Sequence, residues 1–278
     1  DCSYEELINH LNLTSSSDLS ITRPVRRWTT PTPVFVDMLL YSIVEVDEKF
    51  QTVLSHISVY TRWQNEFLSW TPSDFCGIKL LSVPLSLLWQ PDIVIREECV
   101  GSSSFQSPLA TISADGWVHT TSRHMLTSTC KLNLQMFPFD VQKCNLSFGS
   151  MSSSGKKCIF KVQNNDSSQF RVYEQTIVTH GEWALRNISI NGCNETRNYF
   201  SQSAVIYTIT MVRKPLLYVV NFIVPLFYLL VLDVASFFIS EARGEKLGFK
   251  ITVLLSISVL LLILKDILPS TEDNLPMI

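Results

Sequence analysis

The sequence predicts a mainly β extracellular domain, an immunoglobulin-like β-sandwich with an N-terminal helix, followed by transmembrane α-helices. Three observations carry this. Between residues 33 and 212 apolar side chains recur at every second position, as in strands with one face in a core. From residue 215 the chain turns into long apolar runs. All seven cysteines and five Asn-x-Ser/Thr sequons precede that change, which puts the first part on the oxidising, secreted side of a membrane.

The elements follow in order. Residues 4–13 are the one stretch of the polar part with a helical look. In "VFVDMLLYSIVEVD", Val34, Val36, Met38, Leu40, Val44 and Val46 fall on one face of a strand. "WQPD", from Trp89 to Asp92, reads as structural: the indole fills a core and the Asp after Pro closes a turn. Asp115-Gly116 is a hairpin signal. Ser/Gly/Asn clusters at 101–104, 149–155 and 164–168 separate further strands. In "AVIYTITMV", Val205, Tyr207, Ile209 and Met211 alternate with polar residues. Many short strands with such turns make a sandwich. The sequons stand at Asn12, Asn145, Asn165, Asn187 and Asn194 and are the expected glycosylation sites.

The apolar part holds two expected spans. Residues 215–239 exceed the ~20 residues that cross a bilayer as helix. Asn221, Pro225 and Asp233 interrupt them, and Pro225 is tolerated in a membrane bundle. Residues 247–264 carry only Lys250 as a charge. Two buried helices of a soluble core would need more chain to cover them than remains. The organisation is thus an extracellular domain over 1–214 and a transmembrane domain over 215–278. The latter has a first helix near 216–239, a second near 247–267, and the start of a linker. Arg213 and Lys214 before the first span balance Arg243 and Lys246 after it. Cysteines and sequons therefore orient the chain, with 240–246 cytoplasmic and 265–278 returning outside. "DCSYEELINHL" has no basic start and apolar core, so it reads as a mature N-terminus.

Several classes are excluded. A net charge of −3 offers nothing to nucleic acid. No GxSxG, HExxH, P-loop or dinucleotide fingerprint occurs, so no enzyme and no cofactor is expected. His119 and His124 are an odd number of residues apart, on opposite faces of a strand, so no metal site is expected. The aromatic residues Tyr60, Trp63, Trp70, Trp117, Trp183, Tyr199, Phe200 and Tyr207 include enough rings for a cage around an organic ammonium ion. Each ring is also an ordinary packing residue. In the second span Gly248, Thr252, Leu255, Val259, Leu262 and Asp266 are spaced 4, 3, 4, 3, 4 and share one stripe. That helix is apolar on its other faces too, so spacing alone does not select the stripe. Glu245 at its cytoplasmic start would form a cation-favouring ring of acids if helices assembled around an axis.

The stretch "CKLNLQMFPFDVQKC", Cys130 to Cys144, encloses thirteen residues with "FPFD" among them. It resembles the signature of the Cys-loop pentameric ligand-gated ion channels. "WQPD" lies upstream where that family has Trp-x-Pro-Asp. "RKPLLYVVNFIVPLFYLLVLD" resembles its first membrane helix, and "GEKLGFKITVLLSISVLLLILKDILP" its pore-lining second helix. "NEFLSW", "FPFDVQKC", "GEW" and "FKIT" are similar to type 3 serotonin receptor subunits.

The resemblance implies a subunit of a transmitter-gated, cation-selective pentamer in the plasma membrane, possessing an extracellular N-terminal domain and a postsynaptic setting. Its partners would be four further subunits, with hetero-pentamers favoured, a small amine transmitter such as serotonin, monovalent cations and the lipid bilayer. It implies a Cys130–Cys144 disulfide and leaves the pairing of Cys2, Cys76, Cys99, Cys158 and Cys193 open. Glu245 would match the selectivity acid, Leu255 the gate and Val259 the ring above it. Phe137, Pro138, Phe139 and Asp140 would form a joint with the membrane layer, Asp140 facing Arg213 or Lys214. The transmitter positions would fall at Tyr60, Glu97, Met151, Trp183, Tyr199 and Phe200. There the chain departs from the family: Met151 replaces a tryptophan, Tyr60 lacks a Trp-x-Arg, and "IREE" replaces an Asn-Glu. An incomplete cage points to an accessory subunit. The alternative is a membrane-tethered ligand-binding or regulatory subunit that does not conduct on its own. The family continues past Ile278 with a third and fourth helix, so this stretch alone is not expected to make a complete channel.

Overall fold

A computed structural model describes residues 3–13, 20–152, 158–162, 178–179, 181–197, 200–238 and 245–267. For 178–179, 193–197, 200–202, 245–246 and 264–267 it describes the backbone alone.

Helix α1 (Tyr4–His10) opens the chain. The Ser3 hydroxyl accepts from the Glu6 N–H, and Glu5 and Glu6 sit in the first turn, where the helix dipole favours acids. The strands are β1 (Thr32–Asp47), β2 (Thr52–Gln64), β3 (Leu80–Pro84), β4 (Val94–Ile95), β5 (Ser103–Gln106) and β6 (Leu109–Ser113). They continue with β7 (Trp117–Thr129), β8 (Val141–Gly149), β9 (Cys158–Lys161), β10 (Val178–Thr179), β11 (Trp183–Arg197) and β12 (Phe200–Arg213). One sheet runs β10-β1-β2-β7-β6-β3, with β9 on β1 and β5 on β7; the other runs β11-β12-β8-β4. Their facing sides bury Val36, Ile57, Val118, Phe148, Val205 and Met211. Tyr207 ties the layers together: its hydroxyl donates to the Val36 carbonyl at 2.9 Å and accepts from the Met38 N–H at 3.3 Å. Burial pushes that phenol well above its ordinary range.

Two sequence expectations change here. In β1 the alternation holds from Val34 to Leu40. A register irregularity between Leu40 and Ser42 then slips the phase. Ile43 takes the core position and Val44 is exposed, as an inserted residue in one strand requires. Asp92 does not close its own turn. It accepts from Ser150 Oγ at 3.1 Å and from Ser152 N and Oγ at 2.9 and 2.7 Å, pinning the approach to β4 onto the segment after β8. The Ser152 hydroxyl, above all, holds its carboxyl below the usual range against the opposing effect of burial. Asp115-Gly116 does make the β6–β7 hairpin. Gly116 has φ +85°, and a Cβ there would lie 2.6 Å from the Asn65 carbonyl oxygen, so only glycine fits.

The apolar part begins with a helix over Leu216–Phe238, 23 residues, long enough to cross a membrane. Within it Val219–Ile223 forms a π-turn just before Pro225. Proline offers no N–H to the carbonyl four residues back, and a widened turn is one way a helix absorbs that loss. The second helix is Glu245–Ile267, with an apolar stretch Leu247–Ile263.

Candidate functional site

The densest constellation lies where the sandwich meets the first apolar helix. The loop before β8 is held at its base by the Cys130–Cys144 disulfide, with Cα atoms 5.3 Å apart. Closing a loop of about 15 residues removes about 3 kcal/mol of unfolded-chain entropy on the simple model. Gln142 locks its interior. Its amide donates to the Asn133 carbonyl at 2.8 Å and to Asp140 Oδ2 at 2.6 Å, and accepts from the Asn133 N–H at 2.9 Å. Asp140 is thereby fixed in an almost fully buried position.

Arg213, at the end of β12, is the hub. Its Nε donates to Asp140 Oδ1 at 2.8 Å and its Nη2 to Glu48 Oε1 at 2.8 Å. Its Nη1 reaches Glu182 at 3.5 Å and the Tyr218 hydroxyl at 3.3 Å. The Tyr218 hydroxyl donates to Glu182 in turn. Aromatic rings cover the guanidinium: Trp183 at 4.2 Å, Phe137 at 4.8 Å and Tyr218 at 5.6 Å. Burial by itself would lower the Arg213 pKa, but the bonds and charges of Asp140 and Glu48 raise it above its ordinary value. One buried cation therefore serves three carboxylates from three separate stretches of chain. A guanidinium suits this because its five donors lie in a fixed planar fork.

Of the two cations the sequence offered, Arg213 takes Asp140, while the Lys214 ammonium donates to the Gly181 carbonyl at 3.4 Å. Phe137 packs edge-on against Tyr218 at 4.9 Å and shares a small apolar cluster with Leu134. Phe139 and Met136 at the loop tip stay exposed. Of the 265–278 stretch, expected to return outside toward this loop, residues 268–278 lie outside the described residues. Glu48, Glu182 and Tyr218 were not anticipated. Only "GEW" in the resemblance touched two members of this network, and it carried no role for Glu182.

The transmitter positions are dispersed by contrast. Tyr60 stands 42% exposed on the outer face of β2 and Met151 is 79% exposed. Trp183 is 5% exposed beneath Arg213, so its ring is spent on the joint and is closed to a ligand. Glu97 is engaged as well: its carboxylate accepts from Ser147 N and Oγ, both at 2.6 Å. Trp63, Trp70 and Tyr207 are core residues. Trp117 and Phe35 clasp the Arg62 guanidinium at 4.4 and 4.9 Å. Tyr199 lies outside the described residues, and Phe200 is described by its backbone alone. Of the sequons, Asn145 accepts from Thr208 Oγ1 at 2.8 Å, Asn12 has φ +53° and Asn187 is exposed in β11. Asn165 and the Asn194 side chain lie outside the described residues. Cys76 is disulfide-bonded and Cys99 is a free thiol.

In the second helix, burial marks one packed face and leaves the other faces exposed, the expected stripe among them. Val253 is buried and Phe249, Ile257 and Leu260 are partly buried, forming the packed stripe. At about 100° per residue, Leu255 lies about 200° from Val253 and Val259 about 240°. Gly248, Thr252, Leu255, Val259 and Leu262 thus occupy the side turned away from the packed stripe, and all are exposed in the single chain. The Thr252, Ser256 and Ser258 hydroxyls donate to carbonyls four residues back, each at 2.9 Å, so they leave no polar group unmet within the helix. The Glu245 and Asp266 side chains lie outside the described residues.

Comparison with known proteins shows the family. The family model for the neurotransmitter-gated ion-channel ligand binding domain matches residues 7–215, and that for the transmembrane region of the same channels matches 222–278. The chain is 34% identical over 265 residues to the 5-hydroxytryptamine receptor 3A of Rattus norvegicus, covering 92% of the chain and 53% of the relative. It is 30% identical over 253 residues to the 5-hydroxytryptamine receptor 3E of Homo sapiens, covering 91% and 56%. To the neuronal acetylcholine receptor subunit beta-3 of Rattus norvegicus it is 30% identical over 259 residues, covering 92% and 54%. The chain spans about half the length of these relatives.

Proposed function

The chain belongs to the neurotransmitter-gated ion-channel family, and from that premise we propose that it is a subunit of a pentameric, cation-selective channel of the type 3 serotonin kind, acting in an accessory position. Residues 1–214 form the ligand-sensing layer and 215–278 the first part of the pore layer. A transmitter held between neighbouring extracellular domains shifts the population toward the open arrangement by binding it better. Arg213 carries the shift, because it links the loop of Asp140, the β1–β2 turn of Glu48, the Trp183 strand and the Tyr218 helix in one buried cluster. Leu255 closes the path by forming a dry apolar ring, and Glu245 favours cations at the inner mouth. Thr252, Val259, Leu262 and Asp266 line the rest.

The observation that carries the reading is the Arg213 network. An ion cluster buried between two layers is costly unless geometry is kept, so movement in one layer is felt in the other. The accessory position is supported by the transmitter positions: Met151 offers no indole and Trp183 and Glu97 are engaged elsewhere. The test is to express the full-length protein with a type 3 serotonin receptor subunit and record currents. The expected result is a changed unitary conductance or agonist sensitivity, lost with Arg213→Gln. Currents indistinguishable from the partner alone, with the protein present at the surface, overturn the proposal.

A further inference from the structure

We infer that Gln51 is a positioning residue of the joint: its side chain latches the β1–β2 turn onto the root of the Cys130 loop, and so holds Glu48 where Arg213 finds it. The latch is a property of the single chain, and its bearing on channel opening rests on the reading proposed above. Glu48, Lys49, Phe50 and Gln51 form the turn between β1 and β2. Gln51 closes it with φ +53°. That left-handed backbone is uncommon for a residue with a side chain, and glycine or asparagine usually fills it. A long amide there is unfavourable for the backbone, so its contacts must offset the cost.

Three hydrogen bonds do so. Gln51 Oε1 accepts from the Leu132 N–H at 2.6 Å, and Nε2 donates to the Glu48 carbonyl at 2.7 Å. The Gln51 carbonyl accepts from the Cys130 N–H at 2.8 Å, carrying the β2–β7 ladder one step past Thr52 and Thr129. One residue thus ties the turn that bears Glu48 to two amides of a loop some 80 positions away. Those amides belong to packed parts of the loop: Leu132 lies in the core and Cys130 is bonded to Cys144. The exposed tip of Met136 and Phe139 takes no part. The residue type follows from the bonds. Among straight side chains of this length, only glutamine carries an acceptor and a donor on one plane. Asparagine suits the backbone but brings the same amide one methylene short. Glutamate lacks the donor, and lysine lacks the acceptor.

The two acids bonded to Arg213 at 2.8 Å are then held in the same manner. Gln142 fixes Asp140 from within the loop, and Gln51 fixes the backbone of Glu48 from the turn. A guanidinium fork gains most when its acceptors already stand in place, because less freedom is lost on bonding. The Glu48 side chain keeps 21% exposure, so without the latch its carboxylate has water as an alternative partner. The other charged groups of the turn do not hold it. Lys49 lies over the Phe50 ring, and Asp47 accepts from the Phe50 N–H.

Two measurements on the full chain in detergent test this. The first is hydrogen exchange at the Leu132 amide. Gln51→Met keeps the length and removes the amide, and should speed exchange there about tenfold, the worth of one hydrogen bond. Gln51→Gly adopts the left-handed backbone freely and should do the same, so the test survives if the first variant fails to fold. Arg213→Gln should leave Leu132 protected to within about twofold, since the latch holds without the cation. The second is the coupling between Glu48 and Arg213, read in urea unfolding by a double-mutant cycle of Glu48→Gln and Arg213→Gln. Written as a ratio of equilibrium constants, it should fall about fivefold in the Gln51→Gly background. Leu132 exchange unchanged by both Gln51 variants overturns the latch. Leu132 released as much by Arg213→Gln also overturns it, because the ions would then be holding the turn. An unchanged coupling marks Gln51 as a structural tie alone and overturns its positioning role. Neither measurement needs a conducting channel, so failure here leaves the channel reading standing, and silent full-length channels leave this inference standing.

Discussion

At Arg213 a single guanidinium meets Asp140, Glu48 and Glu182 under the rings of Trp183 and Phe137. On the proposed transmitter face Tyr60 is 42% and Met151 79% exposed. The difference teaches where each region obtains its definition. The joint is complete within one chain, because its charges and rings come from turns and strands that the same fold brings together. The proposed transmitter face offers side chains that are exposed in the single chain, and the proposal has a second subunit complete the site there. Substitutions at the joint should therefore register in the isolated chain, and substitutions on the face only after assembly.

The largest effect is expected at the hub. Arg213→Gln leaves Asp140 buried without its cation, which costs roughly 3–5 kcal/mol. Urea unfolding of the chain in detergent reads this directly. A loss below about 1 kcal/mol, the value of a surface pair, would break the comparison. Phe137→Ala comes next at about 3 kcal/mol, since a buried ring and its cover over Arg213 are both removed. In assembled channels it should slow or reduce opening more than it weakens agonist binding, and equal loss of affinity would tell against a joint.

Asp92→Asn tests a smaller, pH-dependent term. The folded pKa of Asp92 lies below its ordinary 3.8, chiefly through the Ser152 hydroxyl. A depressed carboxyl pKa contributes stability above the unfolded value, and that contribution is lost as pH falls through the folded one. Wild type should thus lose more stability than the variant between about pH 4 and pH 2; equal losses in the two proteins would refute the assignment. The smallest effect belongs to the face. Tyr60→Ala should leave stability within about 0.5 kcal/mol, while shifting the agonist response of assembled pentamers. A large destabilisation of the single chain would show that Tyr60 has a structural role.

The strands were legible because alternation is a local signal. Val205, Tyr207, Ile209 and Met211 all reach the core as their spacing indicates. The β1 slip was not legible, since a bulge after Leu40 is defined only by the partner strand. The Cys130–Cys144 loop was legible by resemblance, and its apolar content now divides: Leu132, Leu134 and Phe137 turn inward while Met136 and Phe139 stay exposed. Asp92 could be seen as a polar turn residue, yet its partners sit some 60 positions away.

The sequence by itself determined the division into a disulfide-bearing β layer and an apolar helical layer, and the family. Composition, period and motif are properties of neighbouring residues, so they survive without coordinates. Only the tertiary structure decided that Arg213 gathers Glu48, Glu182 and Tyr218, that the Trp183 ring packs on Arg213, and that the Trp63 N–H is buried without a partner among the described residues. Each of those depends on residues up to 165 positions apart, and the free energy of a buried charge or donor is set by its neighbours in space.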